Sequence, residues 1–194
     1  MKELEEGGFI RSYLPFENLK KHKTETKKNI VYQLVDLYSL FYLRFVKEAN
    51  YKTENFWSSN YTSPQINSWR GFSFETLAVW HQSQIKVALG ISGIHTRICA
   101  WMGKNEDGDK AQIDMLIDRV DGMINICEMK WSSDLYVISK SYASELQRKL
   151  DIFCEVTKTK KTPVLTMIVT HGIKLNSYRD YAQQVVILSQ LFKY

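Results

Sequence analysis

An α/β fold, a mixed sheet flanked by helices, is predicted by three observations on this 194-residue chain. Helical and strand periodicities alternate in the order α-β-β-β-α-β from about residue 69 onward. Two strand runs sit either side of a short turn containing Asp121-Gly122, as in an antiparallel hairpin. A further strand run follows only after a long amphipathic segment, which makes the sheet mixed.

The elements follow in order. "GFSFETLAVWHQSQIKVALG" (71–90) reads as one helix, because Leu77, Trp80, Ile85 and Leu89 share a broad face and Gly90 is placed to stop it. "IHTRICAWMG" (94–103) reads as a strand, and "KNEDGDK" (104–110) as the polar loop after it. "AQIDMLIDR" (111–119) and "MINICEMKW" (123–131) are the hairpin strands. "SKSYASELQRKLDIFCEVTK" (139–158) is a second helix with Leu146, Leu150 and Phe153 recurring, "TPVLTMIVTHG" (162–172) a fourth strand, and "QVVILSQLF" (184–192) a short last element.

Upstream, two polar breaks, "KKHKTETKK" (20–28) and "TENFWSSNYTSPQINS" (53–68), flank a helix that Asp36 can cap and that carries Leu37, Leu40, Phe41 and Phe45 at helical spacing. Residues 1–68 are therefore expected to be an appendage and linker, and residues 69–194 the main domain. No internal repeat or low-complexity run is present.

Composition narrows the class. A content of 44% hydrophobic and 13% aromatic residues suffices for a real core, and 24% charged residues argue against wholesale disorder. A formal net charge of +5 suits a polyanionic partner without requiring one. Cys99, Cys127 and Cys154 are far apart in apolar runs with no zinc spacing, so they are expected to be reduced core residues of a cytoplasmic protein. The acidic start "MKELEEGGFIRSY" has no apolar core and is not expected to be a signal peptide, and no apolar run approaches ~18 residues.

The hairpin carries the chemistry. Asp114, Glu128 and Lys130 stand in runs that otherwise read as buried strand, where charge is costly unless paired or metal-bound. A two-residue loop at Asp121-Gly122 opposes Asp114 to Met129 and turns it away from Glu128 and Lys130. A three-residue loop of Val120, Asp121 and Gly122 opposes Asp114 to Glu128 and Gln112 to Lys130, with Gly122 at the left-handed position such loops favour. One face then carries Gln112, Asp114, Glu128 and Lys130, and the other Ile113, Met115, Ile117, Cys127 and Met129. Paired carboxylates suit a hard cation, Mg²⁺ or Mn²⁺, and a neighbouring lysine suits charge growing on a phosphoryl group.

"ID" at 113–114 followed by "EMK" at 128–130 resembles the D…(E/D)-x-K signature of the PD-(D/E)xK, restriction-endonuclease-like nucleases. The α-β-β-β-α-β order resembles that fold's core, and Glu75 in "GFSFETL" resembles the acidic residue of its first helix. More narrowly, "GFSFE", "AQIDMLIDR" and "INICEMKWS" resemble the nuclease-like domain at the C-terminus of prokaryotic AAA-type ATPases. "GGFIRSYLPF" and "VYQLVDLYSLFYLRFV" resemble the end of the winged helix that precedes it there. The resemblance implies a restriction-endonuclease-like core with a winged-helix remnant. It implies Asp114, Glu128 and Glu75 on a Mg²⁺ or Mn²⁺ ion, Lys130 as catalytic lysine, DNA (less so RNA) as substrate, and a P-loop ATPase domain or subunit as partner.

Three departures stand out. Ile113 replaces the signature proline. No Q-x-x-x-Y follows on the second helix, where Gln147 or Lys149 are the available substitutes. No G-x-x-x-x-G-K-[ST] occurs, so no ATPase activity is expected of this chain. The plainer alternatives are a salt bridge between Lys130 and a carboxylate, a solvated or capping role for Glu75, and an exposed edge position for Asp118. His81 and His171 lack partners at metal spacing, the lysine runs suit solvated loops, and Tyr38, Phe41, Tyr42 and Phe45 suit a packed helix face. At the level of function, the alternatives are an inactive nucleic-acid- or protein-binding module of such an ATPase and a pure assembly domain docking through residues 1–50.

Overall fold

The computed structural model describes residues 1–13, 31–47 and 55–193. The break at 20–28 and the first two residues of that at 53–68 lie outside the described residues. At the N-terminus, helix α1 (Lys2–Glu6) leads into strand β1 (Ile10–Tyr13), which pairs antiparallel with β2 (Val31–Leu34). Asp36 caps α2 (Leu37–Phe41) as expected, accepting the Ser39 N–H at 2.7 Å, and the helix runs on into a π-helical turn, Tyr42–Val46.

The break at 53–68 is largely helical. After α3 (Phe56–Asn60), helix α4 (Pro64–Trp80) begins at a Ser-Pro pair. Ser63 accepts the Ile66 N–H at 3.4 Å, and Pro64 fills the first helical position, where its missing N–H costs nothing. Ser and Pro read as loop formers from sequence, yet here they start the helix. The expected single helix over 71–90 is in fact two. The chain leaves helical geometry at His81 (φ −97°, ψ 29°) and resumes as α5 (Gln82–Ala88).

Next come β3 (Thr96–Lys104), β4 (Lys110–Arg119), β5 (Met123–Lys130), helix α6 (Lys140–Thr157), β6 (Thr162–Val169), β7 (Gln184–Ile187) and a closing 3₁₀ turn, Leu188–Phe192. The five strands form one sheet in the order β3-β4-β5-β6-β7, with β3, β4 and β5 antiparallel neighbours and β5, β6 and β7 parallel. The protein is thus an α/β protein with a five-stranded mixed sheet between helical layers.

Each face of the sheet buries its own core. Helix α6 lays Ala143, Leu146, Ile152 and Phe153 on Trp101, Ile113, Leu116, Ile124, Ile126 and Met167. The Trp101 and Phe153 rings meet edge to face, with centroids 5.1 Å apart. On the other face, Phe74 and Ala78 of α4 and Ile85 of α5 cover Met115, Ile117, Cys127, Met129 and Ile168. Cys99 and Cys127 are buried, Cys154 is half-buried, and all three are free thiols, as expected. Among the described residues no helix is long and apolar enough to cross a membrane.

The N-terminal helices pack onto this unit. Phe41 and Phe45 place their rings 5.6 Å and 6.0 Å from that of Trp69, edge to face, and Arg11 donates to the Val79 carbonyl at 3.1 Å. Phe41 and Phe45 therefore belong to a packed helix face, as expected, whereas Tyr38 points to solvent.

Candidate active site at a fork between two strands

The hairpin makes the three-residue turn. Asp118 pairs with Ile124, Ile117 with Asn125, Leu116 with Ile126 and Met115 with Cys127, which leaves Val120, Asp121 and Gly122 in the loop. Gly122 has φ +86°, a left-handed conformation that a side chain would strain. Asp114 and Glu128 are the next pair along this register.

At that pair the strands part. The β4–β5 ladder ends at Met115 and Cys127, while β5 continues against β6 as far as Lys130–Val169 and β4 continues against β3 as far as Lys110–Lys104. The expected Gln112–Lys130 pair is therefore not formed. Asp114 and Glu128 stand at the crotch of a fork, where the backbone opens.

A bulge re-aims β4 at the same place. Cys99 pairs with Leu116 but Trp101 with Ile113, so two steps on β3 match three on β4, with Asp114 and Met115 at the extra residue. Past the bulge the alternation is inverted. Ile113, expected on the face of Met115 and Ile117, packs instead in the α6 core with Trp101 and Leu116. The bulge puts Asp114 within electrostatic reach of Glu75 from the α4 layer and of Glu128, which faces α6.

Glu128 is 3% exposed and fully engaged. Lys130 Nζ lies 2.9 Å from Oε1, Lys149 Nζ lies 2.9 Å from Oε2 and 3.0 Å from Oε1, and the Tyr142 hydroxyl donates to Oε1 at 3.1 Å. Burial works to raise its pKa, but the two ammonium groups outweigh it and hold the carboxyl below its usual range. Lys130 is the converse: burial pulls it down, the Glu128 charge pulls it up, and the result lies above the ordinary lysine value. The Lys130 ammonium also sits 5.6 Å from the Tyr142 ring.

Among the described residues the other two carboxylates have no ion pair of this kind. Burial first, and the Glu128 charge second, raise the Asp114 carboxyl, against the pull of Lys149, Lys130 and a hydrogen bond from the Met129 N–H. Burial, then the Asp114 charge, pushes Glu75 up to about 7. Of two coupled acids the first to ionise escapes the repulsion and the second bears it, so their mutual charge falls on Glu75. Among the described residues Glu75, Asp114 and Glu128 face Lys130 and Lys149, and Lys149 also meets Glu145 at 3.9 Å. Positive charge is therefore short, and the shortfall falls on Glu75 and Asp114.

The sequence-derived residues Glu75, Asp114, Glu128 and Lys130 are thus brought within electrostatic range of one another. Of the two substitutes on the second helix, Lys149 reaches the site and Gln147 does not, donating instead to Asp151 at 2.8 Å. Tyr142 carries no sequence signal of its own. A signal does exist for the pair: positions 142, 146, 149 and 153 recur at spacings of four, three and four, so Lys149 lies on the stripe that buries Leu146 and Phe153.

Asp118 is not the exposed edge residue expected. It is 6% exposed and paired with Lys161 and, at 3.3 Å, with Arg97. These partners come from the loop before β6 and from β3, so hairpin spacing alone gives no hint of them. His81 lies with its Nδ1 2.8 Å from the Leu77 carbonyl, and His171 is exposed.

For a divalent cation the donor chemistry fits in part. Glu75 and Asp114 are hard oxygen donors with no direct ion pair among the described residues, as a Mg²⁺ or Mn²⁺ ligand pair would be. Glu128 has its charge met by lysines. Among the described residues no group of three or more His, Cys, Asp or Glu side chains is gathered as a metal cluster.

Comparison with known proteins adds little. No family model matches the sequence, and no curated protein matches it. One solved structure, the protein of unknown function AF1548, is similar with a TM-score of 0.38 and 16% sequence identity over 56% of this chain and 56% of that one, so the match spans little more than half of either protein.

Proposed function

We propose that the fork is the active site of a metal-dependent nuclease domain with a restriction-endonuclease-like core, hydrolysing DNA phosphodiesters. The observation that carries the reading is the convergence of Glu75, Asp114, Glu128 and Lys130 at the point where β4 and β5 separate, with a charge deficit that a cation would fill. Glu75 and Asp114 are the residues that would hold Mg²⁺ or Mn²⁺, with Glu128 beside them. The bound cation supplies Lewis acidity toward a phosphoryl oxygen and acidifies a water.

The chain's own groups do the remaining work. Lys149 and Tyr142 keep Glu128 ionised and oriented, and Glu128 in turn fixes Lys130. The Lys130 side chain is one-third exposed, so its ammonium can meet negative charge growing on phosphorus. Glu75, raised to about 7 before a cation is bound, gives up its proton in the neutral range and so becomes available as a ligand there. The test is Mg²⁺- or Mn²⁺-dependent cutting of single- and double-stranded DNA by the full chain. Wild-type activity with loss in Lys130→Ala supports the mechanism, and equal activity in that variant refutes it.

One observation favours a second reading, a catalytically inactive nucleic-acid- or protein-binding module: Glu128 is already saturated by two lysines and a tyrosine, as a purely structural network would be. Calorimetric titration with Mn²⁺ separates the two, since the nuclease reading requires binding that Asp114→Ala removes. The partner we propose is a P-loop ATPase domain or subunit in the cytoplasm. It is supported by the exposed Phe9, Tyr32, Tyr38 and Leu43 of the N-terminal segment.

A further inference from the structure

We propose that Tyr61, Arg70 and Trp131 form a subsite beside the fork that holds an unpaired strand of nucleic acid by base stacking and phosphate contact. The inference takes the class of polymer from the nuclease reading, but its geometry is independent of metal and catalysis.

The Arg70 guanidinium carbon lies 3.9 Å from the centroid of the Tyr61 ring and 5.1 Å from that of Trp131. Arginine flanked by rings in this way is oriented by its π contacts while its in-plane N–H donors stay available. Among the described residues its one polar contact is to Asn67 Oδ1 at 3.3 Å, and no carboxylate there pairs with it. Tyr61 remains 60% exposed although it contacts Arg70, so ring surface is left open to solvent.

Two of its three residues lie close in the chain to residues of the candidate site. Trp131 directly follows Lys130, and Arg70 precedes Glu75 by five residues, about 7.5 Å along α4. A strand whose phosphate lies on Arg70 can stack its base on Tyr61 while the adjoining backbone enters the fork. Base faces are hidden in a duplex and open in a single strand, so this geometry selects the unpaired form.

The test is binding of a short fluorescein-labelled oligothymidylate to the full chain in EDTA, followed by anisotropy, with a blunt duplex and thymidine monophosphate as competitors. Tyr61→Ala and Arg70→Ala are each expected to weaken binding by about ten- to a hundredfold. Arg70→Lys is expected to weaken it despite keeping the charge. Tyr61→Phe is expected to retain it, and Lys160→Ala, in the loop before β6, to leave it near wild type. Circular dichroism checks each variant's fold, and Tyr61→Phe and Arg70→Lys are conservative enough to decide the matter if the alanine variants fail to fold. The proposal is overturned if the oligonucleotide does not bind, if duplex or mononucleotide competes as well as the strand, or if the loss follows net charge alone. Binding is read in EDTA and cleavage separately with Mg²⁺ or Mn²⁺, so intact binding with no cleavage when metal is added condemns the nuclease reading only, and cleavage with binding indifferent to Tyr61 and Arg70 condemns the subsite only.

Discussion

Glu75 gives the sharpest test of the site's electrostatics. Its carboxyl is raised from 4.5 to about 7, by burial first and by Asp114 second. A raised acid binds its proton more tightly in the folded state than in the unfolded one. Its contribution is therefore fully favourable below 4.5, declines as the pH rises from 4.5 to about 7, and stays lost above that. The whole shift corresponds to about 3 kcal/mol at about 1.4 kcal/mol per unit, and solvent screening of a partly exposed carboxyl brings this to about 1–2 kcal/mol. Glu75→Gln has no charge to bury. Urea unfolding in EDTA should find the variant close to wild type below 4.5 and more stable by about 1–2 kcal/mol above pH 7. A variant equally or less stable than wild type across that whole range would show that Glu75 ionises unhindered, and that the fork has no deficit of positive charge.

Three other outcomes are expected. Mn²⁺ binding measured by calorimetry should release a proton below about pH 7, because loading must displace the Glu75 proton, and should tighten as the pH rises to about 7 while the release falls away; binding independent of pH would argue against Glu75 as a ligand. Lys149→Met strips one of two cations from buried Glu128 and should cost about 1–3 kcal/mol in urea unfolding, with much of the loss recovered on adding Glu128→Gln. Gly122→Ala must hold φ +86° with a β-carbon and should cost about 1–2 kcal/mol by the same assay, with Gly122→Asn milder.

The local pattern carried most of the architecture. Alternation of apolar residues in 111–119 and 123–131 marked two strands, and a glycine at the last position of their loop favoured the register that opposes Asp114 to Glu128. Leu146, Leu150 and Phe153 marked α6, and Asp36 marked the start of α2. What misled was chemistry with two uses. Ser63 and Pro64 are loop residues by composition and a helix start by geometry, and nothing in the apolar spacing warns that the chain breaks at His81.

The sequence by itself determined the alternation of helices and strands, the two registers open to the hairpin and the presence of four chemically capable side chains within it and on the preceding helix. Those are near-neighbour properties, written in periodicity and in one glycine. The tertiary structure chose the register of the three-residue loop and decided the rest. The bulge opposite Ala100 carries Ile113 to the α6 core, and the parting of β4 from β5 opens the fork. From α6 Lys149 arrives to neutralise Glu128 and Tyr142 to donate a hydrogen bond to it, while Glu75 arrives from α4 with no ion pair among the described residues. Bulges, strand divergence and charge balance depend on which elements face one another across the sheet, and that information lies in contacts between residues far apart in the chain.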